Sequence, residues 1–135
     1  MNFQYTLGRR FVVGVFSKTL RLASIDGERS VEVEALVDTG SFYTLVPARL
    51  LTELEVEPFD TYTLELADGR LVDYDVGLAG ATVDERTAPT LVLFGDDDIE
   101  PLLGAYTLQG LMLAVDSPNE RLVPLKLRMV SHPTV

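Results

Sequence analysis

The chain has no cysteine, no tryptophan and a single histidine, His132. Without cysteine there is no disulfide framework, no thiolate nucleophile and no thiolate metal ligand. A Ser-His-Asp triad has only His132 to draw on, and that residue sits beside Pro133 in an expected tail, exposed and idle. A zinc site would have to be built mainly from carboxylates, which zinc seldom uses. Basic residues are also scarce: 11 Lys and Arg face 21 Asp and Glu, a formal net charge of -10. A chain of that sign repels phosphate backbones and anionic lipid, so neither nucleic acid nor a membrane surface is an expected partner. No apolar run approaches the roughly 20 residues that a membrane-spanning helix needs. The run Phe11 to Phe16 is short and rich in β-branched residues, and no small-residue cleavage site follows it. It is expected to be a buried strand and not a signal peptide, which makes cytoplasmic the default location.

What is present suits a globular fold. The 135 residues are 47% hydrophobic and 24% charged, the balance of one domain with one core. Residues 1–135 are expected to form that single domain, with 1–8 as an N-terminal edge segment and 128–135 as a C-terminal tail. Short strands are expected at 2–7, 10–16 and 19–25, with a turn at Asp26-Gly27. From Val31 the alternation is clear: Val31, Val33, Ala35 and Val37 share one face, and Glu32, Glu34 and Leu36 the other. Tyr43 to Val46 read as a strand, Pro47 as the first residue of a helix that runs through Ala48 to Leu54. Residues 61–66 and 71–76 alternate around Ala67-Asp68-Gly69-Arg70, a strong hairpin signal. Residues 78–83 and 90–94 read as a second hairpin turning through 84–87. A short helix is expected from Gly104 to Gly110, with Gly110 as its C-terminal cap. The last strands are expected at 111–115 and 121–127. Many short strands punctuated by turns imply an all-β fold, a small closed barrel with one or two short helices.

One stretch departs from this ordinary pattern. Glu34 to Pro47 reads EALVDTGSFYTLVP, with Asp38-Thr39-Gly40-Ser41 between two apolar runs. Asp and Gly are depleted inside strands, so they mark a turn held between two buried strands. A carboxylate on such a turn is a candidate for acid–base chemistry, because burial and neighbours set its pKa. Later in the chain stands Pro101-Leu102-Leu103-Gly104. Alone, Leu102-Leu103-Gly104 reads as a core strand leading into a helix. Together with Asp38-Thr39-Gly40-Ser41 it resembles the two signatures of aspartic proteases, Asp-Thr-Gly-Ser and a late apolar-apolar-Gly. One copy of each in a chain this short is similar to the retroviral-type (retropepsin-like) branch, with its single-domain prokaryotic members. The resemblance covers roughly residues 31–124.

That resemblance implies an aspartic endopeptidase acting on extended polypeptides, with Asp38 as the catalytic carboxylate. A lone aspartate near its usual pKa of about 3.9 is ionised at neutral pH and has no proton to give. Two carboxyls at contact distance share one proton, a pattern for which aspartic proteases are themselves the standard example. The chain holds one such loop, so a homodimer is implied, with one Asp38 from each subunit. By the same resemblance Thr39 buttresses the paired loops, Gly40 lets substrate approach, and Ser41 hydrogen-bonds an outer carboxylate oxygen and favours a lower working pH. Ala67, Asp68, Gly69 and Arg70 form the tip of a flap over substrate. No metal and no cofactor is implied. The chain departs from the retroviral pattern in having Phe42 and Tyr43 where an acid often stands, and Ala105 where an Arg often follows the late glycine.

Other features have plainer readings. Asp96-Asp97-Asp98 and Glu100 lack the alternating ligands of a calcium loop and read as a solvated acidic loop. Arg9 and Arg10 are expected to pair with carboxylates at an interface or the surface. Tyr62 and Tyr74 read as cross-strand packing. The alternative function is a non-catalytic peptide-binding barrel that keeps the protease fold. A narrower version of the first reading is a protease that cleaves only itself or one partner, with 1–8 and 131–135 as exposed places for self-cleavage.

Overall fold

The computed structural model describes residues 16–131. The expected strand at 2–7, residues 10–15 of the strand expected at 10–16, Arg9, Arg10 and His132 lie outside the described residues. In chain order the elements are β1 (Phe16–Ala23), β2 (Ser30–Val37), β3 (Thr44–Pro47), α1 (Ala48–Glu53), β4 (Asp60–Glu65), β5 (Leu71–Val83), β6 (Arg86–Gly95), β7 (Leu102–Leu103), α2 (Ala105–Gly110), β8 (Leu113–Asp116) and β9 (Arg121–Pro124). Strands dominate, as the alternation implies.

Seven strands form one mixed sheet in the order β1-β2-β7-β3-β6-β5-β4, and β8 and β9 form a separate antiparallel pair. β2 runs parallel to β7, and β3 parallel to β6. β1 also pairs with β5, through Arg21–Thr82, Leu22–Ala81 and Ala23–Gly80. The sheet therefore curls until β5 meets β1, and β4 is left as an outer strand on β5.

The core follows from the period of two in each strand. Leu20 and Leu22 on β1, Ala35 and Val37 on β2, and Ala79, Ala81 and Val83 on β5 point inward and join Val92, Leu103 and Val46. Leu51 and Leu54 from the α1 unit, and Leu108, Leu111 and Leu113 from α2 onward, complete it. Burying each leucine contributes about 1.5–3 kcal/mol, so this cluster is the main source of stability.

Five boundaries differ from expectation. Pro47 is not the first helical residue; it ends β3 and caps α1 with ψ 133°, and the helix begins at Ala48. Residues 71–83 are one continuous 13-residue strand. Gly77 allows this, because a Cβ there would lie 2.7 Å from the Val56 side chain and 3.1 Å from Phe94. The second hairpin turns through Asp84-Glu85 alone, both at positive φ (49° and 70°), so β6 starts at Arg86. Such a two-residue turn matches strand twist better than a wider loop, and the Lys18–Asp84 ion pair at 2.8 Å ties it to β1. Gly110 is the last helical residue of α2 and not its left-handed cap; Met112 takes φ 59° instead. The last expected strand stops at Pro124, and 125–131 has no regular structure.

The burial pattern makes a direct test. Leu20→Ala, in the fully buried core, is expected to lower unfolding free energy by about 2–5 kcal/mol. Leu71→Ala, at a position 69% exposed, should stay within about 0.5 kcal/mol of wild type in the same urea titration.

Candidate active site

Asp38 stands immediately after β2, where the strand is held by the segment that contains the second motif. Leu36 N–H donates to the Pro101 carbonyl (2.9 Å), and Asp38 N–H to the Leu103 carbonyl (3.2 Å). The chain then turns. Ser41 N–H donates to the Asp38 carbonyl at 3.0 Å, and Gly40 N–H donates to Asp38 Oδ1 at 2.9 Å. The aspartate thus folds its own loop by bonding the backbone two residues on. A Cβ at Gly40 would lie 3.1 Å from that same Oδ1, so a larger residue crowds the carboxylate.

The far half of the loop is stitched to α2. Ala105 N–H donates to the Ser41 carbonyl (3.0 Å) and Tyr106 N–H to the Phe42 carbonyl (2.7 Å). These helix-start donors have no partner within the helix, and the loop carbonyls satisfy them. Gly104 N–H donates to Thr44 Oγ1 at 3.0 Å. Gly104 must be glycine: a Cβ there would lie 2.5 Å from the Tyr43 oxygen and 2.7 Å from the Phe42 oxygen, both backbone atoms. The late motif therefore supports the Asp38 loop from behind, with Leu103 and Gly104 buried.

The Ser41 hydroxyl donates to the Tyr43 carbonyl at 2.9 Å, which braces the far side of the turn. Thr39 is exposed at the apex of the loop.

Asp38, Gly40 and Ser41 open into a cleft of about 650 Å³. Leu45, Leu93 and Leu102 line it from the sheet, and Leu64, Leu66, Ala67 and Tyr74 from the β4–β5 hairpin. Tyr74 lies opposite Tyr62 in the strand register, so the expected cross-strand pair exists, yet Tyr74 also lines the cleft. Phe42, Tyr43 and the carboxylate-bearing Glu65 of β4 complete the lining. The rings of Phe42 and Tyr43 form an aromatic cluster with Tyr106 and Tyr62, with centroids 4.9 Å apart for Phe42–Tyr43 and 5.7 Å for Phe42–Tyr106, Tyr43–Tyr62 and Tyr43–Tyr106. Burial first, then the neighbouring Tyr62 and Tyr106, push the Tyr43 hydroxyl above its ordinary value.

The hairpin tip is a three-residue loop, Ala67-Asp68-Gly69. Leu66 N–H donates to the Arg70 carbonyl (2.8 Å) and Gly69 N–H to the Leu66 carbonyl (2.9 Å). Gly69 takes φ 90°, the left-handed position that such a loop gives to glycine. Asp68 Oδ1 accepts Arg70 N–H (3.0 Å) and Oδ2 accepts Arg70 Nε (2.8 Å). The Arg70 backbone N–H, then its side chain, hold the Asp68 carboxyl below its ordinary value. Of the expected flap residues only Ala67 lines the cleft; Asp68, Gly69 and Arg70 shape the tip.

Three buried threonines carry no sequence signal and were not among the expected site residues. Thr44 Oγ1 lies 2.6 Å from Thr107 Oγ1, which lies 2.8 Å from Thr90 Oγ1. In the acidic loop Asp97 accepts the Arg49 N–H at 3.2 Å. Among the described residues no group of three or more His, Asp or Glu is placed to hold a metal, and no helix is long and apolar enough to cross a membrane.

No protein-family model and no curated protein sequence matches the chain. Among solved structures it is similar to the solution structure of the simian foamy virus (mac) protease, at 22% identity and a TM-score of 0.49, over 70% of this chain and 96% of that one.

Two outcomes follow from the loop and the tip. Gly104→Ala should lower stability by about 1–3 kcal/mol, because backbone must move to admit the methyl group; thermal unfolding reads it. The ionised Asp68 carboxylate favours the formed tip above the ordinary carboxylate range, and that support is lost as pH falls through the depressed value. In an NMR pH titration the Gly69 and Arg70 amides should therefore shift at a pH below the ordinary aspartate value of about 3.9, and Asp68→Asn should abolish that shift.

Proposed function

We propose that the chain is an aspartic endopeptidase that works as a homodimer on extended polypeptides. The observation that carries this reading is the placement of Asp38: a carboxylate on a turn stitched at both ends, opening into a mainly apolar cleft with a β-hairpin as its other wall. The apolar walls suit a peptide with hydrophobic side chains, and an extended substrate offers backbone groups that a hairpin can pair with.

The chemistry needs an acid and a base together. One Asp38 comes from each subunit, related by a two-fold axis, and the pair shares one proton. The ionised carboxylate removes a proton from water, whose oxygen attacks the scissile carbonyl carbon. The protonated partner gives its proton to the carbonyl oxygen, forming a neutral tetrahedral diol. Collapse breaks the C–N bond: a diol hydroxyl returns its proton to one carboxylate, and the other protonates the leaving amine. The pair ends as it began, with one proton shared. The exposed apex of the loop, Thr39 and Gly40, is where two copies meet.

Cleavage of an unfolded casein-like substrate across a pH series tests this, with wild type and Asp38→Asn run side by side and mass measured by light scattering. Wild type is expected to cleave as a dimer, with specific activity falling on dilution. Asp38→Asn should remain folded and lose activity by about 10²–10⁴-fold or more. Equal cleavage by both proteins removes Asp38 from the mechanism. A folded dimer that binds peptide and cleaves nothing, with or without Asp38, supports the binding-module alternative. A strict monomer overturns the two-carboxylate site.

A further inference from the structure

We infer that Thr107 is a positioning residue for Asp38, acting through a buried chain of hydroxyls that ties the catalytic loop to the sheet behind it. The kinetic part of this inference rests on the protease reading above; the structural part does not.

Thr44, Thr107 and Thr90 are 0%, 1% and 3% exposed. They come from three separate elements, β3, α2 and β6. A buried hydroxyl without a partner costs more than its bond returns, so three of them together need a closed account. One donor direction satisfies all three. Gly104 N–H donates to Thr44 Oγ1 (3.0 Å). Thr44 then donates to Thr107 (2.6 Å) and Thr107 to Thr90 (2.8 Å). Thr90 donates to the Leu91 carbonyl, at 3.4 Å. In the reverse direction Thr44 would receive two protons and have no acceptor for its own.

Thr107 is the middle member and the one on which the rest turns. It sits on the same six-residue helix whose first N–H groups hold the Ser41 and Phe42 carbonyls. A helix that short does not hold itself in place. Its position is set by Leu108 in the core and by Thr107 bonded on one side to β3 and on the other to β6. Moving α2 moves the N–H groups of Ala105 and Tyr106, and with them the loop that carries Asp38. The hydroxyl chain thus converts the rigidity of β6 into the placement of a carboxylate at the opposite end of the loop.

Thr107→Val keeps the shape and removes the hydroxyl. In this variant kcat is expected to fall about tenfold with KM changed by less than about twofold, the effect of one lost hydrogen bond felt in the transition state only. Thr107→Ser, which restores the oxygen, should recover activity to within about twofold. Amide hydrogen exchange gives a second readout independent of catalysis. Ala105 and Tyr106 amides should exchange about tenfold faster in Thr107→Val while those of β1 and β2 keep their wild-type rates. Unchanged kcat, or exchange that rises equally everywhere, would show an ordinary packing role and overturn the inference. If wild type cleaves nothing, the protease reading fails, and the exchange pattern alone decides for or against Thr107. Should Thr107→Val not fold, Thr90→Val, which cuts only the link to β6, is read by the same exchange comparison. Equal rates at Ala105, Tyr106 and the β1–β2 amides then overturn it.

Discussion

Between the loop that carries Asp38 and the start of α2, the backbone of Gly104 lies against the carbonyls of Phe42 and Tyr43 with no room for a methyl group. Most of the site depends on that contact. A loop buried on one side must find partners for its backbone groups, because unpaired N–H and C=O groups are costly away from water. Here the partners come from one short stretch, Pro101 to Tyr106, which bonds Leu36, Asp38, Ser41, Phe42 and Thr44 in turn. The close approach permitted by Gly104 brings all of these within hydrogen-bonding distance at once. The same stretch contributes Leu103 to the core. The loop therefore inherits its rigidity from the hydrophobic interior.

The two walls of the cleft are held by different means. The wall that carries Asp38 is anchored by buried side chains and by hydroxyls inside the protein. The hairpin opposite is an outer feature: β4 has one neighbour in the sheet, and the tip is closed by bonds among Leu66, Asp68, Gly69 and Arg70 themselves. Its outer face carries exposed threonine–aspartate bonds, Thr61 to Asp75 (3.0 Å) and Thr63 to Asp73 (2.6 Å). Local opening is easiest where few apolar contacts must be broken. One wall is thus fixed from the interior, and the other is closed largely by its own bonds.

Much of this arrangement was legible in the sequence. The alternation through Val31, Val33, Ala35 and Val37 identified β2 and its buried face, and the switch to Asp-Thr-Gly-Ser located the turn. Asp68-Gly69 between two alternating runs identified the hairpin. These features depend on near neighbours in the chain, where periodicity and turn chemistry act. The misreadings lie elsewhere. The two strands expected at 71–76 and 78–83 are one, because Gly77 makes room for Val56 and Phe94, neither of them near it in sequence. Asp84 and Glu85 accept positive φ in a turn tied to Lys18 on β1.

By itself the sequence determined the strand-rich class, the turn that presents Asp38, the hairpin around Gly69 and the chemistry that a lone carboxylate motif would require. It did so because each rests on residues within a few positions of one another. The tertiary structure alone decided that Tyr74 lines the cleft, that Phe42, Tyr43, Tyr62 and Tyr106 cluster beside it, and that Thr44, Thr90 and Thr107 meet. Those hydroxyls are 63 and 17 positions apart along the chain, and a threonine reads the same whether it faces water or another threonine. What brings them together is the folding of β3, β6 and α2 around one core, where an unpaired hydroxyl is too costly to leave alone.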